Sequence, residues 1–239
     1  MEALWHIAVL EHIVWLVEQA AEAGVHQEEQ VELEVTMRPK LRLTNVPQFF
    51  HAQFIEDLSL CDNLVHYFRS NPDQWLDGIA YGMTKTGEDS GKVSTDIYCS
   101  SDNKDPDINE FVRQLQIVVD KYIELYPRSN CTVSWNLEPF NIQRYGPGEG
   151  FLKWHCERSI ANEPSVSRHL AFMMYCNTIE DGGGTEFWHQ DWISKSEKGK
   201  IVIFPTDWTA THRGLPCEEE KIILTGWFNF AKDYSVMSI

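Results

Sequence analysis

The sequence of 239 residues lacks any run of 18 uncharged apolar residues, so we expect no membrane-spanning helix. Its most apolar stretch, residues 3–17, is interrupted by charged and histidine side chains and lacks the basic start and cleavage site of a secretory signal. Pairs of the C-x-x-C type are also missing, which argues against a zinc knuckle or a thioredoxin-type centre. We therefore expect the six cysteines to be reduced thiols in a cytoplasmic protein.

Basic residues are scarce: 20 Lys and Arg stand against 36 Asp and Glu, which gives a formal net charge of −16. Binding to a polyanion depends on Lys and Arg contacts with phosphates, so we expect no nucleic-acid partner and no membrane partner. Hydrophobic residues make up 43% of the chain and nine of its residues are Trp, which argues against disorder. The composition predicts an acidic globular protein.

The hydrophobic periodicity predicts helices with a few strands in the first half of the chain and a run of strands in the second half. Gly24, Pro39, Pro72 and Pro127 are the expected stops. Helices are predicted at 2–23, 48–69 and 107–126, and strands at 31–38, 78–84, 93–99, 131–145, 168–177, 184–188, 200–204 and 221–230. Helices followed by a run of strands indicate an α+β fold with a jelly-roll sandwich or barrel.

The strand-rich half contains the triplet His155-Cys156-Glu157. In a strand, residues i and i+2 point to the same face, so this imidazole and this carboxylate can bind one metal ion. His212 is the best candidate for a third ligand, since it follows the predicted strand 200–204 and a loop. Two histidines and one carboxylate leave coordination positions open, which is typical of non-haem Fe(II) oxygenases.

Two further residues strengthen this interpretation. Lys221 begins the apolar strand 221–230, and an ammonium that leads such a strand inward needs an anionic partner. A dicarboxylate that binds iron at one end and Lys221 at the other would supply that partner. Tyr145 lies ten residues before His155, in a segment rich in glycine and proline.

The pattern resembles the 2-oxoglutarate/Fe(II) dioxygenases, and within them the prolyl 4-hydroxylase-like branch, which uses Lys for the tail of 2-oxoglutarate. The resemblance covers roughly residues 47–230, with the iron-binding core at 141–230. It depends on the order and spacing of Tyr145, His155-x-Glu157, Gly182-Gly183-Gly184-Thr185-Glu186-Phe187, Ile203-Phe204-Pro205, His212, Lys221 and Trp227.

The resemblance implies a double-stranded β-helix core with buttressing helices. Residues 1–45, with the predicted helix 2–23 and strand 31–38, fall outside the resemblance and are predicted to form an N-terminal extension. The domain division is then 1–45 for the extension and 46–239 for the dioxygenase domain. Helix 2–23 would pack on the domain or form an oligomer contact.

The same resemblance implies a role for each matched residue. His155, Glu157 and His212 would bind Fe(II), and Lys221 would pair with the C5 carboxylate of 2-oxoglutarate. Tyr145, Thr185 and Trp227 would line the co-substrate pocket.

The implied reaction uses Fe(II), 2-oxoglutarate and O₂, with ascorbate as the candidate reductant. It hydroxylates a C–H bond and releases succinate and CO₂. The favoured substrate is a prolyl or other amino-acid side chain in a peptide or protein. The alternatives are a free amino acid or small metabolite, or a non-catalytic jelly-roll binding module.

The sequence departs from the branch at two positions. Glu157 stands where the branch usually has Asp; its presence favours hydroxylation, because related halogenases replace this ligand with a small residue. Met174 stands where a pocket tyrosine is expected. A competing metal triplet, His189-Gln190-Asp191, fits the same pattern. We expect His189 to be an ordinary residue of a loop or the rim of the site, with contact to the substrate as the alternative.

Overall fold

A computed structural model describes residues 46–78, 91–130 and 135–231. In these ranges the chain forms two α-helices, α1 (Ser59–Ser70) and α2 (Pro106–Leu125). It also forms the strands β1 (His51–Phe54), β2 (Leu76–Asp77), β3 (Thr95–Cys99), β4 (Trp135–Leu137), β5 (Phe140–Tyr145), β6 (Arg168–Tyr175), β7 (Thr185–Phe187), β8 (Trp192–Ser194), β9 (Lys200–Pro205), β10 (His212–Gly214) and β11 (Lys221–Phe230).

The strands form two antiparallel sheets. The large sheet has the order β1-β9-β6-β11-β5-β3-β2, and β4 pairs with β11 as its eighth strand. The small sheet has the order β10-β7-β8. Most neighbouring strands of the large sheet, such as β1 and β9 or β5 and β11, come from distant parts of the chain, and this topology is consistent with a jelly-roll core.

The helices form where capping and periodicity agree. The Asp105 side chain accepts hydrogen bonds from the backbone N–H groups of Asp107 and Ile108, and Pro106 occupies the first turn of α2. Both helices bury one apolar stripe with helical spacing. The buried residues are Leu60, Cys61, Leu64 and Phe68 in α1, and Ile108, Phe111, Leu115, Val118, Val119 and Tyr122 in α2.

The large sheet separates two cores. One core combines the buried stripes of α1 and α2 with one face of β5, β6, β9 and β11, including Phe172 and Leu224. The other core combines the opposite face, including Met173 and Ile223, with Phe187 and Trp192 of the small sheet. The second core is incomplete, because part of the same face lines a cavity.

Several sequence predictions need correction. The predicted helix 48–69 begins late: His51–Phe54 is a strand that pairs with β9, and the helix starts at Ser59. The predicted strand 131–145 is divided into β4 and β5, and two short strands, β8 and β10, were not anticipated. In contrast, α2 and the strands near 168–177, 200–204 and 221–230 are confirmed within a few residues.

Other predictions lie outside the described residues: helix 2–23, strand 31–38, most of strand 78–84, and hence the N-terminal extension. The division at residues 45 and 46 stays a prediction. In the described ranges, neither helix is long and apolar enough to cross a bilayer.

Candidate active site

The structure brings His155, Glu157 and His212 together. One ligand atom from each lies within 4.8 Å of the others, and they are the one such group of His, Cys, Asp and Glu among the described residues. Glu157 Oε1 lies 3.2 Å from His212 Nε2 and 3.8 Å from His155 Nε2. The side chains of His155 and Glu157 are 18% and 14% exposed, so a ligand can reach a site that is largely shielded from water.

The local backbone explains why the two histidines meet. His155 and His212 exchange a pair of backbone hydrogen bonds of 3.0 and 2.9 Å in an isolated antiparallel bridge. The triplet therefore lies in a short bridged segment, where the sequence predicted alternation along a regular strand. His155 and Glu157 still point to the same side, and β10 brings His212 to them from the small sheet.

Both imidazoles have a defined tautomer. His155 Nδ1 lies 2.8 Å from the backbone oxygen of Lys153, and His212 Nδ1 lies 2.9 Å from that of Ala210. A carbonyl oxygen only accepts, so each Nδ1 is the donor and each Nε2 keeps its lone pair. The two Nε2 atoms that face Glu157 are thus free to bind a metal ion.

Burial and mutual proximity set the ionisation of these groups. Burial, with His212 nearby, lowers the pKa of His155 to about 4. Burial opposes ionisation of Glu157, but its contacts with His212 at 3.2 Å, with His155 and with the Arg168 guanidinium lower its pKa to about 2. A neutral imidazole and an ionised carboxylate are the forms that bind metals, and both are present at neutral pH.

Lys221 is buried at the start of β11, with 3% of its surface exposed. Its Nζ donates to the backbone oxygen of Gly183 at 2.9 Å and lies 4.9 Å from the ring centroid of Tyr145. No Asp or Glu of the described ranges pairs with it, and burial lowers its pKa to about 8. Gly183 has φ +63°, a conformation that favours glycine, and this turn aims its carbonyl at Lys221.

All seven residues to which the resemblance assigns a role line one cavity of about 290 Å³. The Tyr145 hydroxyl donates to Gln143 Oε1 at 2.7 Å, and burial raises the pKa of Tyr145. Thr185 Oγ1 accepts from the Tyr175 hydroxyl at 3.0 Å. Trp227 presents its ring to the guanidinium of Arg168, 3.5 Å from the ring centroid. The cavity thus joins the three candidate metal ligands to the buried ammonium.

The sequence reasoning missed several residues of the cavity wall. Asn141 and Gln143 alternate with Tyr145 along β5, and Ile223 and Thr225 alternate between Lys221 and Trp227 along β11. Period-two alternation from the recognised residues would have found these four. Lys92 and Arg168 also line the cavity, and no local pattern marks them.

Two sequence predictions about neighbouring residues have clear outcomes. Met174 does not face the cavity: it is buried against the helices, whereas Met173 lines the cavity. The pocket position that the sequence assigned to Met174 is therefore occupied by Met173. His189 lies between β7 and β8, packs edge-on against Trp208, and is not part of the cavity wall.

The residues fit an Fe(II) centre. Two free imidazole nitrogens and one ionised carboxylate are a donor set that suits iron and leaves room for further ligands. The buried Lys221 has no carboxylate partner among the described residues, and it supplies the positive charge that a dicarboxylate co-substrate needs.

Comparisons with known proteins point to the same class of enzyme. The sequence model of the 2OG-Fe(II) oxygenase superfamily matches residues 140–229. A search of curated proteins gave no match.

Solved structures of three prolyl hydroxylases share the fold. A viral collagen prolyl hydroxylase from Paramecium bursaria chlorella virus 1, in complex with 2OG, aligns with a TM-score of 0.58 at 18% identity, over 77% of this chain and 97% of its own. A prolyl-4-hydroxylase from Pseudomonas putida gives 0.56 at 17% identity, over 76% and 92%. A prolyl hydroxylase from Trichoplax adhaerens, in complex with a hypoxia-inducible-factor peptide fragment, gives 0.60 at 14% identity, over 80% and 88%.

Residues 140–229 match the 2OG-Fe(II) oxygenase superfamily, and this match together with the fold supports the assignment of the protein as a 2-oxoglutarate-dependent dioxygenase. Its fold is that of the prolyl 4-hydroxylase-like branch, and family and fold together support hydroxylase activity. Fe(II), 2-oxoglutarate and O₂ are the cofactor and co-substrates that this family implies.

Proposed function

We propose that this protein hydroxylates a C–H bond of an amino-acid side chain, with a prolyl residue in a peptide or protein as the leading candidate. The observation that carries the proposal is a single cavity that contains both the His155-Glu157-His212 group and the buried ammonium of Lys221. An iron site alone would leave Lys221 without a counter-charge among the described residues. A bound 2-oxoglutarate explains both features at once.

His155, Glu157 and His212 would hold the metal. Lys221 would pair with the C5 carboxylate of 2-oxoglutarate, because a carboxylate compensates the desolvation that lowers the pKa of this lysine. Tyr145 lies opposite Lys221 in the paired strands β5 and β11 and would pack against the co-substrate. Thr185 and Trp227 would form the remaining walls.

Fe(II), when bound with 2-oxoglutarate and O₂, supplies the oxidising power that an unactivated C–H bond requires. In the proposed reaction one oxygen atom of O₂ enters the substrate as a hydroxyl group. The other enters succinate, while the C1 carboxylate of 2-oxoglutarate leaves as CO₂. Ascorbate would restore Fe(II) when oxidation is not coupled to substrate.

The charges of the cavity favour an uncharged substrate group. Among the described lining residues, Lys92 pairs with Asp96 at 2.8 Å and Arg168 pairs with Glu138 at 3.1 Å. Once Lys221 and the metal are compensated, no charge is left among these residues to bind an ammonium or a carboxylate. A free amino acid carries both groups beside its side chain, whereas a residue within a peptide carries neither. We therefore favour a peptide substrate over a free amino acid.

The test compares a panel of blocked peptides with the corresponding free amino acids, in the presence of Fe(II), 2-oxoglutarate and ascorbate. Succinate release and a mass gain of one oxygen atom are measured together. We expect both products with at least one peptide, and substantially less with the free amino acid. Turnover of free amino acids without turnover of peptides would contradict the proposed substrate class.

Co-substrate binding provides a separate test that needs no substrate. Anaerobic Fe(II) with 2-oxoglutarate should give a weak visible charge-transfer band in the wild-type protein. His155→Ala should abolish the band and His189→Ala should retain it. A wild-type protein without the band would contradict the assignment of the cavity.

A further inference from the structure

Arg168 is a buried guanidinium at the start of β6 whose direction is set by an irregularity in the sheet. Leu170 pairs with Phe228 of β11, but the next pair is Arg168 with Asn229, so β6 contains one extra residue, His169. Strict alternation would place Arg168 on the helix side with Leu170. The bulge turns it to the other side, where it lines the cavity.

In this position Arg168 contacts the carboxylate residue of the metal-binding group. Its Nη1 donates to the backbone oxygen of Glu157 at 3.3 Å and lies 3.8 Å from Glu157 Oε2. Ser165 Oγ donates to the same backbone oxygen at 2.9 Å. The other carboxylate oxygen, Oε1, faces His212 at 3.2 Å. The two carboxylate oxygens thus have different partners, a guanidinium and an imidazole.

Arg168 is itself held on two further sides. Its Nε and Nη2 donate to the two carboxylate oxygens of Glu138 at 3.1 and 3.3 Å, which is a forked pairing that only arginine can make. Its guanidinium carbon lies 3.5 Å from the ring centroid of Trp227. Arg168 and Glu138 are 5% and 9% exposed, so the charged pair is largely shielded from solvent. The guanidinium is therefore fixed before any metal binds.

This arrangement bears on the presence of Glu157 at a position where the prolyl 4-hydroxylase-like branch usually has aspartate. Glutamate has one more rotatable bond than aspartate, so Glu157 loses more side-chain entropy when it is held in one position. A fixed guanidinium on one oxygen restricts the carboxylate and leaves the other oxygen directed at the two histidines. Groups that orient a metal ligand in this way typically change metal affinity by about 10- to 100-fold when they are removed.

We propose that Arg168 is a positioning residue that acts through Glu157 to set the metal affinity of the site. The proposal rests on the proposed function in one respect, namely that His155, Glu157 and His212 bind a divalent metal. In this role Arg168 acts through Glu157 and is not itself a metal ligand, because a guanidinium only donates. Its effect therefore appears in metal binding itself, before any turnover.

The experiment measures Mn(II) binding to the full chain by calorimetry. The main variant is the double substitution Arg168→Met with Glu138→Gln, which removes both charges and leaves no buried charge of this pair uncompensated. We expect Mn(II) to bind about 10- to 100-fold more weakly than to wild type. Lys200→Met is the matched control, since Lys200 is also a buried cation but pairs with Glu197, away from the three ligands. It should bind Mn(II) within about threefold of wild type.

A second pair of variants separates positioning from a general structural role. The shorter carboxylate of Glu157→Asp cannot reach Arg168 and the histidines together, so the same double substitution should cost less than about threefold in that background. Equal losses of affinity in the wild-type and Glu157→Asp backgrounds would overturn the proposal, as would a loss below about threefold in the wild-type background.

Folding of each variant is checked by circular dichroism. If the double variant does not fold, Arg168→Lys replaces it, because lysine keeps the charge opposite Glu138 but loses the fork. This variant should bind Mn(II) about tenfold more weakly, and wild-type affinity would overturn the proposal. Failure of the wild-type protein to bind Mn(II) would instead contradict the proposed function.

Discussion

The two faces of β6 and β11 differ sharply, although they alternate residue by residue along the same strands. On the helix side lie Phe172, Met174, Ile222 and Leu224, all apolar and buried against α1 and α2. On the other side, Lys221 is followed by Ile223, Thr225 and Trp227, which line the cavity.

This difference separates stability from function at a spacing of one residue. The helix side is filled by neighbouring side chains, so each residue there contributes burial and close packing. The cavity side keeps an ammonium, two further charged pairs and an open volume of about 290 Å³. These features stabilise a bound ligand, and in the free protein they contribute less than an apolar filling would. Substitutions on the cavity side should therefore weaken ligand binding with little loss of stability, whereas substitutions on the helix side should lower stability with little loss of binding.

The largest functional effect is expected at the metal-binding group. His155→Ala or His212→Ala should abolish Mn(II) binding and succinate release, because two ligands are too few to hold the metal. For His155→Ala the free energy of unfolding of the metal-free protein should change little, whereas His212→Ala should also lower it, because His212 is buried against Phe187 and Phe204. Calorimetry and urea denaturation measure the two quantities. His189→Ala is the control and should behave as wild type in both; loss of Mn(II) binding in His189→Ala, with retention in His155→Ala, would show that the other triplet is the site.

On the helix side we expect a loss of stability without a loss of metal or co-substrate binding. Leu224→Ala should lower the free energy of unfolding by about 2–5 kcal/mol, because Leu224 is fully buried and its truncation leaves a cavity. Urea denaturation measures this loss. At temperatures where the variant is folded, its affinity for Mn(II) and 2-oxoglutarate should match that of wild type. A large drop in affinity without a loss of stability would break the separation of the two faces.

The sequence was sufficient to predict the groups whose partners are local or whose order along the chain is distinctive. His155 and Glu157 are two residues apart, and Lys221 stands out because it begins an apolar strand. Helix α2 was predictable because its cap, its stripe and its final proline agree.

Features that depend on distant partners were not predictable. Strand β1 exists because it pairs with β9, about 150 residues away, and its own four residues also fit a helical pattern. The facing of Met173 and Met174 depends on the register between β6 and β11. The direction of Arg168 depends on a bulge, which reverses the side that simple alternation would assign.

Removal of the Lys221 ammonium tests the contrast between the two faces in a second way. Lys221→Ala should weaken 2-oxoglutarate binding about a hundredfold, because the C5 carboxylate loses its partner. The free energy of unfolding should stay constant or rise, because the buried ammonium has no carboxylate partner among the described residues of the free protein. Titration of 2-oxoglutarate into the Mn(II)-loaded variant measures the first effect. Affinity within about threefold of wild type would remove Lys221 from the site.

The smallest expected effect is the dependence of 2-oxoglutarate binding on pH, and it follows from the same lysine. Burial lowers the pKa of Lys221 to about 8, so the ammonium is present below that pH and is lost above it. Because binding needs the charged form, affinity should be constant below about pH 8 and fall by up to tenfold for each unit above it. The fall ends at the higher pKa that Lys221 acquires beside the bound carboxylate.

Lys221→Arg supplies the control for this effect, because a guanidinium stays charged over the whole range. Its affinity should be lower than that of wild type, since the forked group needs more room, but it should not change between pH 7 and pH 9. Tryptophan fluorescence titrations of 2-oxoglutarate across this range compare the two proteins. A wild-type profile as flat as that of the Arg variant would show that Lys221 does not titrate in the site, and parallel falls in both would place the titrating group elsewhere.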